Sequence, residues 1–329
     1  MPVVVGVERI TDRWITMTKY AFGVDIGGTT VKLGLFDQDG NILDKWEIPT
    51  VKENGGERIL PDVAESILEK MRERCIAKNK VAGVGVGAPG AVDDDGYMCN
   101  GAVNLGWKPL NVRKIMEDIL GVPVKANNDA NVAAFGEMWQ GGGKGYRNMV
   151  AVTLGTGVGG GIIVNGQILT GANGAGGEIG HIHIEDHETE ECGCKKKGCL
   201  EQYASATGIV RLAKRRLAED DKASMLRDCE VSAKTVFDAV KAGDEVAIEI
   251  AHRFGEYLGK GLAAVANVVN PEVFVIGGGV SKAGEILLEY VKPSFAKYVF
   301  TPCSNVTFAL AQLGNDAGIV GAAGLILGR

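Results

Sequence analysis

Hydrophobic and polar residues first alternate clearly over residues 22–36, on both sides of a Gly-Gly-Thr-Thr turn. Because successive side chains of a strand point to opposite faces, this alternation predicts a β-hairpin. A third strand is predicted near residues 42–49. Apolar residues then recur every three or four positions over residues 57–77, which predicts an amphipathic helix. A buried strand follows at residues 81–88.

The same order of elements begins again further along the chain. A second hairpin is predicted from residues 149–154 and 160–164, around the turn Gly155–Gly159. The remaining predicted elements are a helix at 109–120, a strand at 122–126, a helix from Asn127-Asn128-Asp129 to Trp139 capped by Asn128 or Asp129, helices at 203–218, 232–241 and 245–268, a strand at 273–276, a helix from Ser281, a strand at 306–310 and a helix at 315–327. Two hairpin-led units in series predict a duplicated α/β fold.

The length of 329 residues favours two domains with a ligand cleft between them. The hydrophobic pattern alone places the boundary near residue 126. Residues 1–19 fit the pattern poorly, so we interpret them as an N-terminal extension outside the fold, with Met17 as the natural start.

The charge distribution excludes several partners. The net charge is −6, and the lysines and arginines are dispersed apart from the short run Lys195–Lys197, which argues against nucleic acid. No apolar run reaches the roughly 20 residues that span a bilayer, and the first residues lack a signal peptide's pattern. The sequence therefore predicts a cytoplasmic protein without a membrane partner.

Glycine is unusually frequent, with 48 residues against a typical share of roughly 7%. Two glycine runs resemble well-known nucleotide-binding loops, but each lacks a feature that its motif requires. Gly155–Gly160 matches the dinucleotide-binding spacing, yet a strand follows it where that motif needs a helix. Gly141–Gly145 lacks the hydroxyl residue after Lys144 that a Walker loop uses for magnesium, and we interpret it as a surface loop.

The two hairpin turns are the better candidates for phosphate binding. Glycine lets backbone N–H groups converge on an anion, and threonine hydroxyls add donors. The phosphate candidates are Gly27, Gly28, Thr29, Thr30, Gly155, Thr156 and Gly157. Asp25 lies just before the first turn and is a candidate to hold Mg²⁺ through water. Gly277, Gly278 and Gly279, between a strand and a helix, fit a flat base. The alternative for each turn is an ordinary tight hairpin.

Seven cysteines are present, and three of them cluster at Cys192, Cys194 and Cys199, close to His181. One nitrogen and three sulfurs form a donor set typical of structural zinc. His183 and His187 are alternative nitrogen ligands, and a reactive thiol or chance clustering are the competing interpretations. The four scattered cysteines are predicted to belong to the core.

Several motifs in order carry a family resemblance over residue 20 to the C-terminus. They are Asp25-Ile-Gly-Gly-Thr-Thr-Val-Lys-Leu-Gly, Gly87-Ala-Pro-Gly90, Asn127-Asn-Asp129-Ala-Asn, Leu154-Gly-Thr-Gly-Val-Gly-Gly-Gly, Gly177-Glu-Ile-Gly-His181, the Cys192–Glu201 segment and Leu313-Gly-Asn-Asp-Ala-Gly. Together they resemble the ROK family of sugar kinases and repressors. The resemblance implies a duplicated actin-like ATPase (ribonuclease H-like) fold, with 313–329 joining 20–126 in the first domain and 127–312 forming the second.

The resemblance also implies a reaction and its residues. It implies ATP-dependent phosphorylation of glucose at the 6-hydroxyl, with Mg²⁺, structural zinc, and Asp129 as the general base. The implied sugar-binding residues are Gly90, Asn104, Asn128, Asp129, Glu178, His181 and Glu201. His181 is the family's zinc histidine. The family usually has glycine after the second cysteine, where this chain has Lys195, so the local turn departs from the pattern.

Alternatives stay open at this point. Asp129 could be an ordinary helix cap, and Glu178 and Glu201 solvated surface residues. Another hexose (fructose, N-acetylmannosamine or N-acetylglucosamine) could be the acceptor, and polyphosphate or ADP the donor. A sugar-responsive repressor is disfavoured because fewer than 25 residues precede the Asp25 hairpin. A non-catalytic zinc module would leave the glycine hairpins unexplained. The resemblance further implies a homo-oligomer, a dimer or a tetramer.

Overall fold

The computed structural model describes residues 19–328. Its strands are β1 Tyr20–Ile26, β2 Thr30–Phe36, β3 Ile42–Pro49, β4 Val81–Ala88, β5 Tyr97–Met98, β6 Leu110–Asn111, β7 Val124–Asn128, β8 Met149–Leu154, β9 Val158–Val164, β10 Gln167–Ile168, β11 Val273–Gly277 and β12 Thr307–Leu310. Its helices are α1 Glu53–Gly56, α2 Ile59–Glu73, α3 Val112–Leu120, α4 Asp129–Gln140, α5 Glu201–Ala204, α6 Ala206–Leu217, α7 Ala233–Lys241, α8 Glu245–Val269, α9 Ile286–Tyr298 and α10 Ala317–Leu327.

Two five-stranded sheets repeat one topology. The first has the order β3-β2-β1-β4-β7 and the second has the order β10-β9-β8-β11-β12. In each sheet the first three strands in this order pair antiparallel, and the remaining pairs are parallel. The predicted duplication is therefore confirmed, and the architecture is the duplicated actin-like ATPase fold.

Two helices cross between the sheets. Helix α4 follows β7 of the first sheet and packs on β9 of the second, whereas α10 follows the last strand of the second sheet and packs on β1 and β4 of the first. The two helices also pack closely on each other. The contact of α10 with the first sheet agrees with the expected place of residues 313–329, although the domain limits themselves stay a prediction. The expected boundary after residue 126 falls inside β7, which continues to Asn128.

Glycine residues allow α4 and α10 to pack with their backbones in close contact with each other and with the first sheet. A Cβ at Gly85 of β4 would lie 1.8 Å from the carbonyl oxygen of Ala322 in α10. A Cβ at Gly321 would lie 1.7 Å from the carbonyl oxygen of Val132 in α4. Real side chains cannot occupy such space. Part of the glycine excess therefore serves helix packing. The same holds for Gly255 in α8, which packs on the backbone of α9.

Some predicted helix limits were wrong for local reasons. The helix expected at 203–218 is split, because Ser205 is extended at φ −86° and ψ 173° and caps α6 by accepting the Gly208 N–H. The helix expected from Ser281 begins as a 3₁₀ turn that ends at Gly284, whose φ of +88° is left-handed. Helix α9 starts only afterwards, at Ile286.

Two further expectations need correction. The glycines at 141 and 143 are buried, and the Gly142 N–H donates to the buried Glu137 carboxylate, so this segment is only partly a surface loop. Of the four scattered cysteines, Cys303 is half-buried, while Cys75, Cys99 and Cys229 are exposed.

Within residues 19–328, no helix combines the length and the apolar character needed to cross a bilayer. The predicted N-terminal extension lies outside the described residues, apart from Lys19.

Candidate active site and metal centre

Parallel strands of the first sheet bring distant polar residues to one edge. Asp25 in β1 pairs in register with Gly87 in β4, and Gly87 pairs with Asn127 in β7. Asn128 and Asp129 follow directly, where β7 passes into α4. The carboxyl ends of parallel strands are the usual ligand-binding edge of an α/β sheet. The fold therefore brings Asp25 and Asp129 together although they lie far apart in sequence.

Asp129 is the first residue of α4, and Asn128 is the cap. The Asn128 Oδ1 accepts the Asn131 N–H at 3.1 Å, which settles which of the two predicted residues caps the helix. The Ala130 N–H donates to one Asp129 oxygen, Oδ1, at 2.8 Å. Burial raises the pKa of Asp129 despite its hydrogen bonds, and the negative charge of Glu178 raises it further.

The Asp25 side chain, on β1, contacts the first turn of α10 at Gly318. A Cβ at Gly318 would lie 2.6 Å from the Asp25 carboxylate, so only glycine leaves this space. Burial and the negative charge of Asp129 raise the pKa of Asp25 to about 6, while Lys32 opposes the shift. No cationic side chain of residues 19–328 is in salt-bridge contact with this carboxylate, and such a group suits a hydrated divalent cation.

The first hairpin turn forms a short glycine loop between β1 and β2. The Gly27 N–H donates to the carbonyl oxygen of Thr30 at 3.0 Å. Thr50, at the end of β3, donates its hydroxyl to the Gly27 carbonyl oxygen at 2.8 Å and its N–H to Thr29 at 2.9 Å. The Thr29 side chain is exposed. The carbonyl groups of Gly27 and Thr29 are thus held by hydrogen bonds to Thr50, while the exposed Thr29 side chain is accessible from solvent. An anion-binding loop requires such an accessible side.

The second hairpin turn is fixed by the start of α6. The Ala206 N–H donates to the Gly155 carbonyl oxygen at 2.8 Å, and the Thr207 hydroxyl donates to the Thr156 carbonyl oxygen at 2.7 Å. Gly157 has the carboxylate of Glu201 beside it, 2.5 Å from where a Cβ would lie. The carbonyl groups of this loop are thus also held by hydrogen bonds. The Thr156 side chain is exposed, and a Cβ at Gly155 would have open space.

The third glycine run lies beside this second loop. Gly277 pairs with Thr153 across β11 and β8. Gly278 has φ +85°, and a Cβ there would lie 2.5 Å from the Leu154 carbonyl oxygen. Gly279 has open space around it. The structure therefore brings the predicted base site next to the second predicted phosphate loop.

Three of the predicted sugar-binding residues are connected with Asp129, namely Gly90, Asn128 and Glu178. The Asn128 Nδ2 donates to the Gly90 carbonyl oxygen at 3.0 Å, which joins these two residues directly. Glu178 is exposed and acts electrostatically on Asp129. Asn104 is exposed in a 3₁₀ turn of the 101–107 loop, whose Gly101 stands next to Gly90. Sequence analysis did not indicate Thr170, which accepts from Asn127 Nδ2 at 3.3 Å and so links the two lobes, the parts of the molecule built on the first and the second sheet.

The zinc candidates converge. The ligand atoms of His181, Cys192, Cys194 and Cys199 all lie within 4.8 Å of one another. Cys192 Sγ lies 3.7 Å from His181 Nδ1, and Cys194 Sγ lies 3.6 Å from Cys199 Sγ. Zn–S bonds of about 2.3 Å at tetrahedral angles place ligands about 3.7 Å apart. The donor set therefore fits a tetrahedral zinc ion.

The neighbouring residues are consistent with this ligand set. Both ring nitrogens of His183 are occupied, with Lys197 O at 3.0 Å and Asp186 Oδ1 at 2.8 Å. Lys195 adopts φ +66°, a left-handed conformation that glycine adopts without strain. The turn is therefore kept despite the substitution. Glu201 Oε1 accepts from the Cys192 thiol at 2.8 Å, so its carboxylate lies between the metal candidates and the second loop.

Fold and site together define a sugar kinase of the actin-like ATPase class, because two glycine loops lie on different sheets and the half-buried carboxylates of Asp25 and Asp129 lie close together. The ROK family model matches residues 21–329. The chain belongs to the ROK family.

Individual relatives agree with this assignment. A glucokinase of Halalkalibacterium halodurans is 43% identical over 322 residues, which cover 96% of each chain. The crystal structure of a Streptomyces griseus ROK family glucokinase in complex with glucose and AMPPNP is similar at a TM-score of 0.71, with 34% identity, 93% of this chain and 98% of that chain covered. A ROK hexokinase from Thermus thermophilus gives a TM-score of 0.76 and 32% identity, with 92% and 96% covered.

Proposed function

We propose that the protein transfers the terminal phosphoryl group of ATP to the 6-hydroxyl of glucose. The observation that carries this proposal is the Asp129 carboxylate, half-buried at the start of α4 next to Asn128 and within reach of the charges of Glu178 and Asp25. The structural similarity to a Streptomyces griseus glucokinase in complex with glucose and AMPPNP supports the choice of both substrates.

Asp129 would act as the general base. Its Oδ1 accepts the Ala130 N–H, which orients the carboxylate, and this carboxylate would accept the proton of the attacking hydroxyl. As the sugar oxygen bonds to the γ-phosphorus, the β–γ bridge bond breaks and ADP leaves, while the proton passes to Asp129. Because burial raises the pKa of Asp129, the carboxylate is a stronger base than an exposed aspartate.

The remaining cleft residues would position the substrates. Asn128 and Glu178 would hydrogen-bond sugar hydroxyls, with Gly90 approaching by its backbone. The two glycine loops would hold the phosphates, and the glycines at 277–279 would contact the adenosine. Asp25 would hold Mg²⁺ through water; when bound, this ion neutralises phosphate charge. Closing the lobes would exclude water, the competing phosphoryl acceptor.

We propose His181, Cys192, Cys194 and Cys199 as ligands of a structural zinc ion. Because His181 Nδ1 faces Cys192, its Nε2 is left for a sugar hydroxyl. Glu201 would connect this centre with the sugar and the second loop. Assembly into a dimer or tetramer stays a prediction.

The test compares Asp129→Asn and Asp129→Ala with the parent protein. Coupled ADP release is measured with glucose, fructose, mannose and the N-acetylhexosamines. We expect glucose to be preferred, and kcat to fall by about 10²- to 10⁴-fold in both variants, since general base catalysis contributes that much. Folding and AMPPNP binding should persist. Near-normal turnover of Asp129→Asn would refute the role of Asp129, and absence of glucose turnover by the parent would refute the proposed function.

A further inference from the structure

A lysine that no motif singled out stands at the first glycine loop. Lys52 follows β3, and the Thr50 hydrogen bonds to Gly27 and Thr29 fix this segment against the loop. The Lys52 Nζ lies 3.8 Å from the position that a Cβ of Gly28 would take. The ammonium group is therefore next to the open backbone of the loop.

Among the described residues, the ammonium group of Lys52 has no carboxylate at ion-pair distance. No carboxylate of residues 19–328 lies within 4.0 Å of the Lys52 Nζ, and the residue is exposed. Lys32 is a different case, because it acts on Asp25 and its Nζ lies 3.5 Å from the Asn315 carbonyl oxygen. Lys52 thus places a positive charge beside the first glycine loop, and no carboxylate of the described residues neutralises it by direct contact.

A cation in the cleft would offset the negative charge of the carboxylates and of the bound phosphates. Asp25, Asp129 and Glu178 are carboxylates that interact here: the charge of Asp129 raises the pKa of Asp25, and the charge of Glu178 raises the pKa of Asp129. The loops offer backbone dipoles and hydroxyls, which carry no full charge. Phosphoryl transfer relies on cations that stabilise the equatorial oxygens in the transition state.

The order of the loops indicates which phosphate Lys52 would meet. The first loop follows Asp25, which is close enough to Asp129 for the charge of Asp129 to raise the pKa of Asp25. The second loop adjoins Gly278, on the predicted adenosine side. The terminal phosphoryl group must approach Asp129 for transfer, so it belongs to the first loop.

We propose that Lys52 is a catalytic residue that binds the transferred phosphoryl group through its ammonium. This inference rests on the proposed function, because it takes the phosphoryl donor and the position of transfer from it. Lys52 forms a charge-assisted hydrogen bond to a γ-phosphate oxygen, and this bond strengthens as transfer proceeds.

The test uses the full chain with Lys52→Gln and Lys52→Arg. Lys292→Gln, on exposed α9 surface, is the matched control for removing one positive charge. Turnover is measured against ATP and glucose, and the affinities for Mg·AMPPNP and Mg·ADP are measured by calorimetry. We expect Lys52→Gln to lower kcat/KM for ATP by about 10- to 100-fold, mostly through kcat, because hydrogen bonds to charged groups have this magnitude. Lys52→Arg should recover most of the loss.

Ligand affinity separates the possible outcomes. Lys52→Gln should weaken Mg·AMPPNP binding while leaving Mg·ADP within twofold, because only the former carries a third phosphate position. Equal losses for both ligands would contradict a contact to the terminal group. A kcat/KM within twofold of the Lys292→Gln control would overturn the inference while leaving the proposed function intact. If the parent protein lacks glucose turnover, the proposed function fails, and unchanged Mg·AMPPNP affinity in Lys52→Gln then refutes the phosphate contact separately.

Discussion

The Asp25→Asn substitution should stabilise the protein while it impairs turnover. Asp25 is half-buried and close to the charge of Asp129, and its pKa is raised from 3.8 to about 6. Asparagine has nearly the same shape but no charge to desolvate. The substitution therefore removes an unfavourable buried charge that the structure keeps at its cleft.

The magnitude and its pH dependence follow from proton linkage. An unfolded Asp25 releases its proton near pH 3.8, whereas the folded protein retains it up to about pH 6. The unfolded state thus binds fewer protons between these values, and the free energy of unfolding decreases as the pH rises through this window. A difference of about 2 pKa units, at 1.36 kcal/mol each, amounts to about 3 kcal/mol above pH 6.

The assay is chemical unfolding of the parent, Asp25→Asn and Asp221→Asn in magnesium-free buffer at several pH values from 4 to 7.5. Asp221 is exposed, so its variant controls for the loss of one carboxylate. We expect Asp25→Asn to approach the parent near pH 4 and to exceed it by about 3 kcal/mol at pH 7. Coupled ADP release should fall in the same variant, because the group that would hold hydrated Mg²⁺ is gone.

Parallel stability curves for the parent and Asp25→Asn from pH 4 to 7.5 would refute the reasoning. They would mean that Asp25 titrates in the folded protein as it does in the unfolded chain. A loss of stability at pH 7 would also contradict it, since Asp25 would then make favourable interactions as an anion.

Three further predictions concern the pH profile, the metal and the packing. Glu178→Gln removes a charge that raises the pKa of Asp129, so the acidic limb of kcat/KM for glucose should move to lower pH; an unmoved limb would argue against their coupling. Metal analysis should give one zinc per chain, and Cys194→Ser should lower zinc content, thermal stability and glucose affinity together; full affinity in zinc-free protein would separate metal from sugar binding. Gly85→Ala should cost at least about 1–3 kcal/mol, since its Cβ would meet a backbone oxygen of α10, whereas Gly193→Ala, with open space, should be neutral by denaturant unfolding.

Local pattern accounted for much of the fold. The hairpins β1–β2 and β8–β9 follow from period-two alternation around glycine turns, and strand β4 from a short apolar run between breakers. The family, the duplicated fold and the sugar kinase class are confirmed. The errors occurred where one residue changed the backbone without altering the hydrophobic pattern, as at Ser205 and Gly284.

The sequence indicated most candidate site residues but could not assign distances among them. Asp25 and Asp129 each belong to a short motif, and the four metal candidates share one loop region. Their spatial relation depends on strand register, which joins residues far apart in the chain. Lys52 belongs to none of the quoted motifs, and Gly318 was recognised only as the end of the motif that begins at Leu313; the role of each depends on the residue that the fold places beside it.

The glycine residues show most clearly which properties follow from the sequence and which depend on the tertiary structure. The sequence by itself determined that this chain needs unusual backbone freedom, and the turns at 27–28 and 155–157 could be recognised from their flanking strands. Only the tertiary structure decided that Gly85 and Gly321 serve the crossing of α4 and α10. A turn is a local property of a few residues, whereas the close approach of two backbones depends on elements that meet only after folding.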